Sequence, residues 1–200
     1  MNDLNKVLAM TDGPLKTAML AAWVQGLYEG LAPIPVLVGG AVVELITGGA
    51  YTTGDLDFAG TVPREVAAQL RDAGFEKRGR HWLHQEGELF LDFPSEQIEQ
   101  NEGTVLLEFS GQRLEVLAPE ALLVDRLAAW EFWDSTTDGV NAFLILRATE
   151  SDLDMKKLEQ LVIAQKVNRS WRELRRFADE LDDREPTAEG IEVWAERQES

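Results

Sequence analysis

Residues 36–58 read VLVGGAVVELITGGAYTTGDLDF, and this stretch decides the fold of the chain. A short apolar run ends in Gly39-Gly40, and Asp55-Leu56-Asp57-Phe58 begins fifteen residues after the second glycine. The pattern predicts a buried strand, a tight turn and a helix over residues 41–46 that stops at Gly48-Gly49. A loop then leads into a second strand over residues 55–59.

The second strand carries paired carboxylates. Asp55 and Asp57 are two residues apart, so their side chains share one face of the strand. Oxygen ligands grouped in this way are what Mg²⁺ needs to hold a triphosphate. Asp92 lies among apolar neighbours in a strand-like segment, and a neighbouring strand would bring it beside Asp57. We therefore predict that these three aspartates bind Mg²⁺ or Mn²⁺, and the resemblance described below implies that they are also the catalytic residues. The alternative is that the first two cap a turn and the third is an edge-strand polar residue.

A second group of residues is predicted to bind a nucleotide. Gly39 and Gly40 let a phosphate approach the backbone where a helix begins and offers free N–H groups, although they also suit a simple tight turn. Lys77 and Arg80 belong to the densest basic cluster of the strand-rich region, which could grip a phosphate or form a solvated hairpin. Thr53, in the loop before the paired carboxylates, completes this group.

The two histidines are interpreted as ordinary strand residues. His81 and His84 are three residues apart, and side chains at that spacing point to opposite sides of a strand. A metal site shared by both is therefore not expected.

Composition excludes several classes of function. The chain has no cysteine, which rules out disulfides and thiolate metal sites. Its net charge of −17 repels nucleic acids and anionic lipids unless a local basic patch is present. The N-terminus lacks the features of a signal peptide, and no apolar run approaches the ~20 residues needed to span a membrane. We expect a cytoplasmic protein without a membrane partner.

The order of predicted elements indicates an α/β (α+β) class. Helices are predicted at residues 14–30 and 62–72, and strands at residues 35–38, 55–59, 75–77, 81–84, 88–93, 104–109 and 113–117. After Pro119 helical periodicity dominates, with breaks near residues 134–138, 151 and 186. We expect an α/β domain over residues 1–117 and a helical region over residues 118–200 packed on it.

Three segments together resemble a known superfamily. They are VGGA (38–41), TGGAYTTGDLD (47–57) and VLAPE followed by DRLAA (116–120 and 125–129), within a similarity that covers roughly residues 30–150. The chain resembles the polymerase-β-type nucleotidyltransferases, and more narrowly a prokaryotic branch related to toxin–antitoxin and abortive-infection enzymes. Many members have Gly-Ser where this chain has Gly39-Gly40.

The resemblance implies a mixed sheet with flanking helices and specific roles for residues. Gly39 and Gly40 would contact the β- and γ-phosphates, and Asp92 would help to activate the acceptor hydroxyl. Arg126 is the nearest match to a basic nucleotide-binding residue of the related toxins.

The reaction implied is transfer of a nucleoside monophosphate from an NTP to a hydroxyl, with release of pyrophosphate. The acceptor would be an RNA end, a protein or a small molecule, and a toxin–antitoxin or defence partner is possible. One alternative is a non-catalytic nucleotide-binding or regulatory, antitoxin-type module with the same fold. A structural or oligomerising protein is the other.

Overall fold

A seven-stranded mixed sheet organises the first of the two units into which the chain divides, Met1–Ala118 and Pro119–Ser200. The computed structural model describes residues 4–86, 88–181 and 186–196. The strands are β1 (Val36–Val38), β2 (Asp55–Ala59), β3 (Glu76–Arg78), β4 (His81–His84), β5 (Leu89–Ser95), β6 (Thr104–Phe109) and β7 (Gln112–Leu117). They lie in the order β3-β4-β5-β2-β1-β7-β6. The pairs β2–β5 and β1–β7 are parallel and the others antiparallel.

One face of this sheet is apolar. Leu56 of β2 lies opposite Leu91 of β5, and Leu91 lies opposite Trp82 of β4. All three side chains are buried, as are Leu37 and Phe58 in the next pair of strands. Because side chains alternate along a strand, the polar residues of the same strands are directed to the opposite face.

Four helices accompany the sheet among the described residues of this unit. They are α1 (Leu4–Leu8), α2 (Pro14–Gly26), α3 (Gly39–Ile46) and α4 (Arg64–Asp72). Pro14 opens α2, at a position where a helix does not need the missing N–H group. Val66 and Leu70, one turn apart on α4, are both fully buried, as expected for the apolar face of a surface helix.

Gln25 fastens α2 to the sheet. Its Nε2 donates to the carbonyl oxygens of Pro35, at 2.9 Å, and Glu115, at 2.8 Å. Its Oε1 accepts from the backbone N–H of Glu115 at 3.1 Å. The amide thus bonds the backbone of β7 and of the residue before β1, which fixes the helix against these parallel strands.

The second unit is helical throughout its described elements. These are α5 (Pro119–Trp133), α6 (Thr136–Thr149), α7 (Met155–Ala164), α8 (Asn168–Leu181) and α9 (Ala188–Glu196). Trp194 of α9 stacks on Phe177 of α8, with 4.4 Å between ring centroids, and lies 4.8 Å from the ring of Trp130 of α5. This aromatic cluster ties together helices that are distant in sequence.

The predicted class, a mixed sheet with flanking helices and a helical C-terminal part, is confirmed.

The breaks predicted in the helical region did not include the one between α7 and α8. Lys166 there adopts φ +61°, and Val167 is fully buried while its N–H donates to Val162 O at 3.1 Å. The helix ends because this apolar residue turns back into the core, and Lys166 takes the left-handed position that glycine usually holds, so the usual sequence signal is missing. Helix α1 was also not predicted.

Within the described residues, every helix is too short or too polar to cross a lipid bilayer.

Candidate functional site

Two of the predicted acidic residues are direct neighbours on adjacent strands. Asp57 of β2 lies opposite Asp92 of β5 in the parallel pairing, and Asp55 lies opposite Phe90. Since side chains alternate, Asp55, Asp57 and Asp92 all belong to the polar face of the sheet. The pairing of β2 with β5 therefore brings together carboxylates that are 35 residues apart in the chain.

The diglycine turn lies against the same acidic pair. Val38, the last residue of β1, lies opposite Asp57, and Gly39 follows with φ +68°. A Cβ atom on Gly39 would overlap the carboxylate of Asp57. Glycine is thus required here both by the backbone conformation and by space, and the first turn of α3 begins beside a carboxylate.

Asp92 is nearly enclosed and has two basic neighbours. Its side chain is 10% exposed, and its Oδ2 lies 2.9 Å from Nη2 of Arg80. Its Oδ1 lies 3.0 Å from Nδ1 of His81, but these two atoms are not aligned as a hydrogen bond. The carboxylate is therefore anchored through one oxygen, while the other lacks the hydrogen bond that a buried oxygen normally has.

The carboxylate oxygens on the polar face are of the type that binds a divalent cation, and the pairing of β2 with β5 places them near one another. Asp55 and Asp57 present carboxylate oxygens on one face, with Asp92 beside them, and such oxygens are the ligands that Mg²⁺ prefers. In residues 4–86, 88–181 and 186–196, however, no three acidic or histidine side chains converge closely enough to hold a metal ion. Asp55 and Asp57 would hold the ion, and Asp92 would have to turn from Arg80 to join them.

A buried glutamate organises the loop that precedes β2. Glu44 of α3 is only 1% exposed, and its Oε2 accepts from the Thr17 hydroxyl at 3.1 Å and the Thr53 N–H at 3.3 Å. Burial raises the pKa of this carboxyl, an effect larger than the opposing effect of the two hydrogen bonds. Sequence reasoning missed Glu44, although a carboxylate within the apolar segment AVVELI was a signal.

The other two basic residues predicted to bind nucleotide belong to elements other than the strands that carry Asp57 and Asp92. Lys77 pairs with Trp82, and its ammonium lies 5.7 Å from the centre of that ring, so it belongs to the face opposite Asp92. Arg126 belongs to the second unit, where its guanidinium bonds to Asp138 at 2.7 Å and to Asp125 at 2.5 Å.

His81 is a further residue that sequence reasoning did not assign to the site. The register of β4 and β5 sets Trp82 opposite Leu91, which leaves His81 beside Asp92 on the polar face. Its ring also packs against Phe90, with 4.8 Å between centroids. Only the pairing between strands, which no local pattern reveals, places it there.

A cavity of about 620 Å³ opens beside Asp55. The segment that joins α1 to α2 lines one side, the loop of residues 52–54 another, and the turn between β4 and β5 a third. Its lining includes Asp12, Lys16, Glu86 and Glu88. The space adjoining the first residue of β2 is therefore large enough for a small ligand.

The fold is similar to solved structures of nucleotidyltransferase-like proteins. The solved structure of an antigenic nucleotidyltransferase-like protein from Paracoccidioides brasiliensis is similar to this chain, with a TM-score of 0.56 and 14% identity. The match covers 87% of this chain and 95% of the other. The solution structure of the antibiotic-resistance factor ANT(2'')-Ia matches with a TM-score of 0.50 and 18% identity, over 88% of this chain and all of the other.

These similarities show a nucleotidyltransferase-like fold. They do not place the chain in the branch related to toxin–antitoxin systems. No protein-family model matches the chain, and no curated protein sequence matches it.

Proposed function

We propose that this protein is a metal-dependent nucleotidyltransferase that moves a nucleoside monophosphate from an NTP to a hydroxyl acceptor. The observation that carries the proposal is the position of Asp57, which lies opposite Asp92 in the sheet and against the backbone of Gly39. Acidic oxygens and a helix start are thus combined at one place. A triphosphate needs both a cation held by carboxylates and N–H groups for its oxygens.

The proposed reaction is a single displacement at phosphorus. The acceptor oxygen bonds to the α-phosphorus as the bond to the oxygen that bridges to the β-phosphate breaks, and pyrophosphate leaves with that electron pair. The hydroxyl proton passes to the carboxylate of Asp92, which Arg80 holds in place at 2.9 Å. A bound divalent cation supplies neutralisation of the phosphate charge and lowers the pKa of the attacking hydroxyl.

A second candidate is a module that binds a nucleotide without turnover. The ion pair between Asp92 and Arg80 favours it, because a carboxylate oxygen that is bonded to a guanidinium is not available to a metal ion. The polar face of the sheet would then bind the nucleotide without catalysing its transfer.

The deciding experiment measures pyrophosphate release from each of the four NTPs with Mg²⁺ or Mn²⁺. Reactions contain either RNA, protein or metabolite fractions as acceptor, and α-labelled NTP reports where the label goes. We compare the wild type with Asp57→Asn, and use Asp72→Asn as a control because Asp72 is exposed at the end of α4.

We expect release by the wild type and the control, and a loss of at least a hundredfold in Asp57→Asn, the scale seen when a charge-stabilising group is removed. Nucleotide binding without release in any fraction would establish the second candidate. The labelled fraction would name the acceptor class, and a labelled protein would be a candidate for a toxin–antitoxin or defence partner.

A further inference from the structure

The hydroxyl of Thr53 fills the space that a side chain at position 40 would occupy. A Cβ atom added to Gly40 would lie 3.2 Å from Oγ1 and 3.3 Å from Cβ of Thr53, and 3.2 Å from Cε1 of Tyr51. Unlike Gly39, Gly40 does not have a positive φ. A side chain at residue 40 would therefore require Thr53 and Tyr51 to shift by a few tenths of an ångström, and the Thr53 side chain carries a hydroxyl.

This hydroxyl is held in a defined position. The backbone N–H of Thr53 donates to the buried carboxylate of Glu44, on the same helix as Gly40. Oγ1 of Thr53 accepts from the N–H of Asp55 at 3.3 Å. Thr53 thus links the loop to helix α3 and to Asp55, the first of the candidate metal ligands.

The hydroxyl also keeps a proton that it can donate. A threonine hydroxyl has one proton and two acceptor positions, and the N–H of Asp55 uses one of the acceptor positions. The proton has only a contact of 3.5 Å to the carbonyl oxygen of Asp55, at the limit of hydrogen bonding. A phosphate oxygen at the start of α3 would be a stronger acceptor, because it is charged.

We propose that Thr53 donates a hydrogen bond to the triphosphate and replaces a serine hydroxyl at position 40. The inference rests on the proposed function, since it requires an NTP at the first turn of α3. It assigns the phosphate-binding hydroxyl of this chain to the loop before β2 and makes Glu44 the residue that positions it.

The test relocates the hydroxyl. Calorimetry measures the affinity of the protein for ATP, CTP, GTP and UTP with Mg²⁺, and for the matching nucleosides. The variants are Thr53→Val, Thr53→Ser, Thr53→Ala, Gly40→Ser and the double variant Gly40→Ser/Thr53→Ala. Thr61→Val, at an exposed position after β2, is the control. Circular dichroism verifies that each variant is folded.

Thr53→Val and Thr53→Ala should weaken NTP binding about tenfold or more, the usual scale for a hydrogen bond to a charged group, and leave nucleoside binding unchanged. The NTP affinities of Thr53→Ser and Thr61→Val should stay within about threefold of the wild-type affinity. Gly40→Ser alone should bind no better than the wild type, because Thr53 crowds it. The double variant should recover most of the affinity that Thr53→Ala loses.

Wild-type affinity in Thr53→Val, or no recovery in the double variant, would overturn the inference while leaving the proposed function intact. If the wild type itself binds none of the four NTPs, the proposed function and the inference both fall.

Discussion

Gly39 shows how a single residue sets the distance between a helix start and a carboxylate. Its φ of +68° favours glycine, and any Cβ would overlap Asp57. Two costs therefore add at one position, a backbone cost and a steric cost. Gly48, with φ +63° and nothing within 4 Å of an added Cβ, carries only the first.

We expect Gly39→Ala to lower the free energy of unfolding by about 3 kcal/mol, and Gly48→Ala by about 1 kcal/mol. The difference between the two losses is the free energy needed to displace the Asp57 carboxylate. Urea denaturation followed by tryptophan fluorescence measures both variants. Equal losses would mean that Asp57 moves aside freely and that the turn does not constrain it.

Glu44 makes stability depend on pH in an unusual direction. Burial raises its pKa in the native state, so the folded protein keeps this proton at pH values where the unfolded chain, with the ordinary value of 4.5, has lost it. The native state then binds more protons than the unfolded state, and this carboxyl lowers stability as pH rises from about 4.5.

Glu44→Gln keeps an acceptor for Thr17 and Thr53 but has no proton to lose. We expect its free energy of unfolding to increase relative to that of the wild type as pH rises from about 4.5 to about 7, because only the wild type loses stability through this carboxyl. Urea titrations at several pH values measure this, with Glu65→Gln on the exposed side of α4 as the control. A difference that stays constant or shrinks with pH would contradict the direction of the pKa shift.

At the scale of elements, the N-terminal caps of the second unit differ in strength. Asp154 accepts from the N–H groups of Lys156, at 3.0 Å, and Lys157, at 3.1 Å, at the start of α7. Ser135 accepts one longer bond, 3.4 Å, from Asp138 at the start of α6. A carboxylate also interacts favourably with the positive end of the helix dipole.

Asp154→Ala should therefore destabilise the protein by about 1 kcal/mol, and Ser135→Ala by about half as much. Thermal and urea unfolding of the two variants provide the measurement. A larger loss for Ser135→Ala would show that the length of the cap hydrogen bond does not set its contribution.

Local patterns predicted individual elements well and their arrangement poorly. The bounds of β2, β4 and β6 agree with prediction, because alternation and flanking turn residues are local signals. The prediction that a neighbouring strand brings Asp92 beside Asp57 agrees with the pairing of β2 and β5, although no local pattern fixes the register. The contact of His81 with Asp92 and the bonds of Glu44 to Thr17 and Thr53 join residues of different segments, and sequence patterns did not predict them.

At the scale of the whole molecule, the net charge of −17 opposes folding through self-repulsion. Several carboxylates have a basic partner, as in the pairs Arg126–Asp138 and Lys157–Glu120. With 36 acidic and 19 basic residues, however, seventeen acidic charges remain in excess. Salt screens this excess over long distances more than it weakens close, half-buried pairs.

Raising NaCl from about 10 mM to about 100 mM shortens the screening length from about 30 Å to about 10 Å. We expect the free energy of unfolding to increase over this range. Urea titrations at each salt concentration measure it, and KCl at equal ionic strength separates screening from binding of a particular ion. A decrease would show that attraction within ion pairs outweighs the repulsion.

The central position of β2 governs where the chain tolerates changes in length. With β5 on one side and β1 on the other, this strand has both of its edges filled. Residues added to the connection over 96–103 would enlarge the periphery and leave Asp57 facing Asp92. Deleting one residue from β5 before Asp92 would turn that side chain toward the apolar face, because strand residues alternate. Changes in length are thus tolerated at the rim of this sheet. Within β2 and β5, insertions or deletions would separate the carboxylates of Asp57 and Asp92.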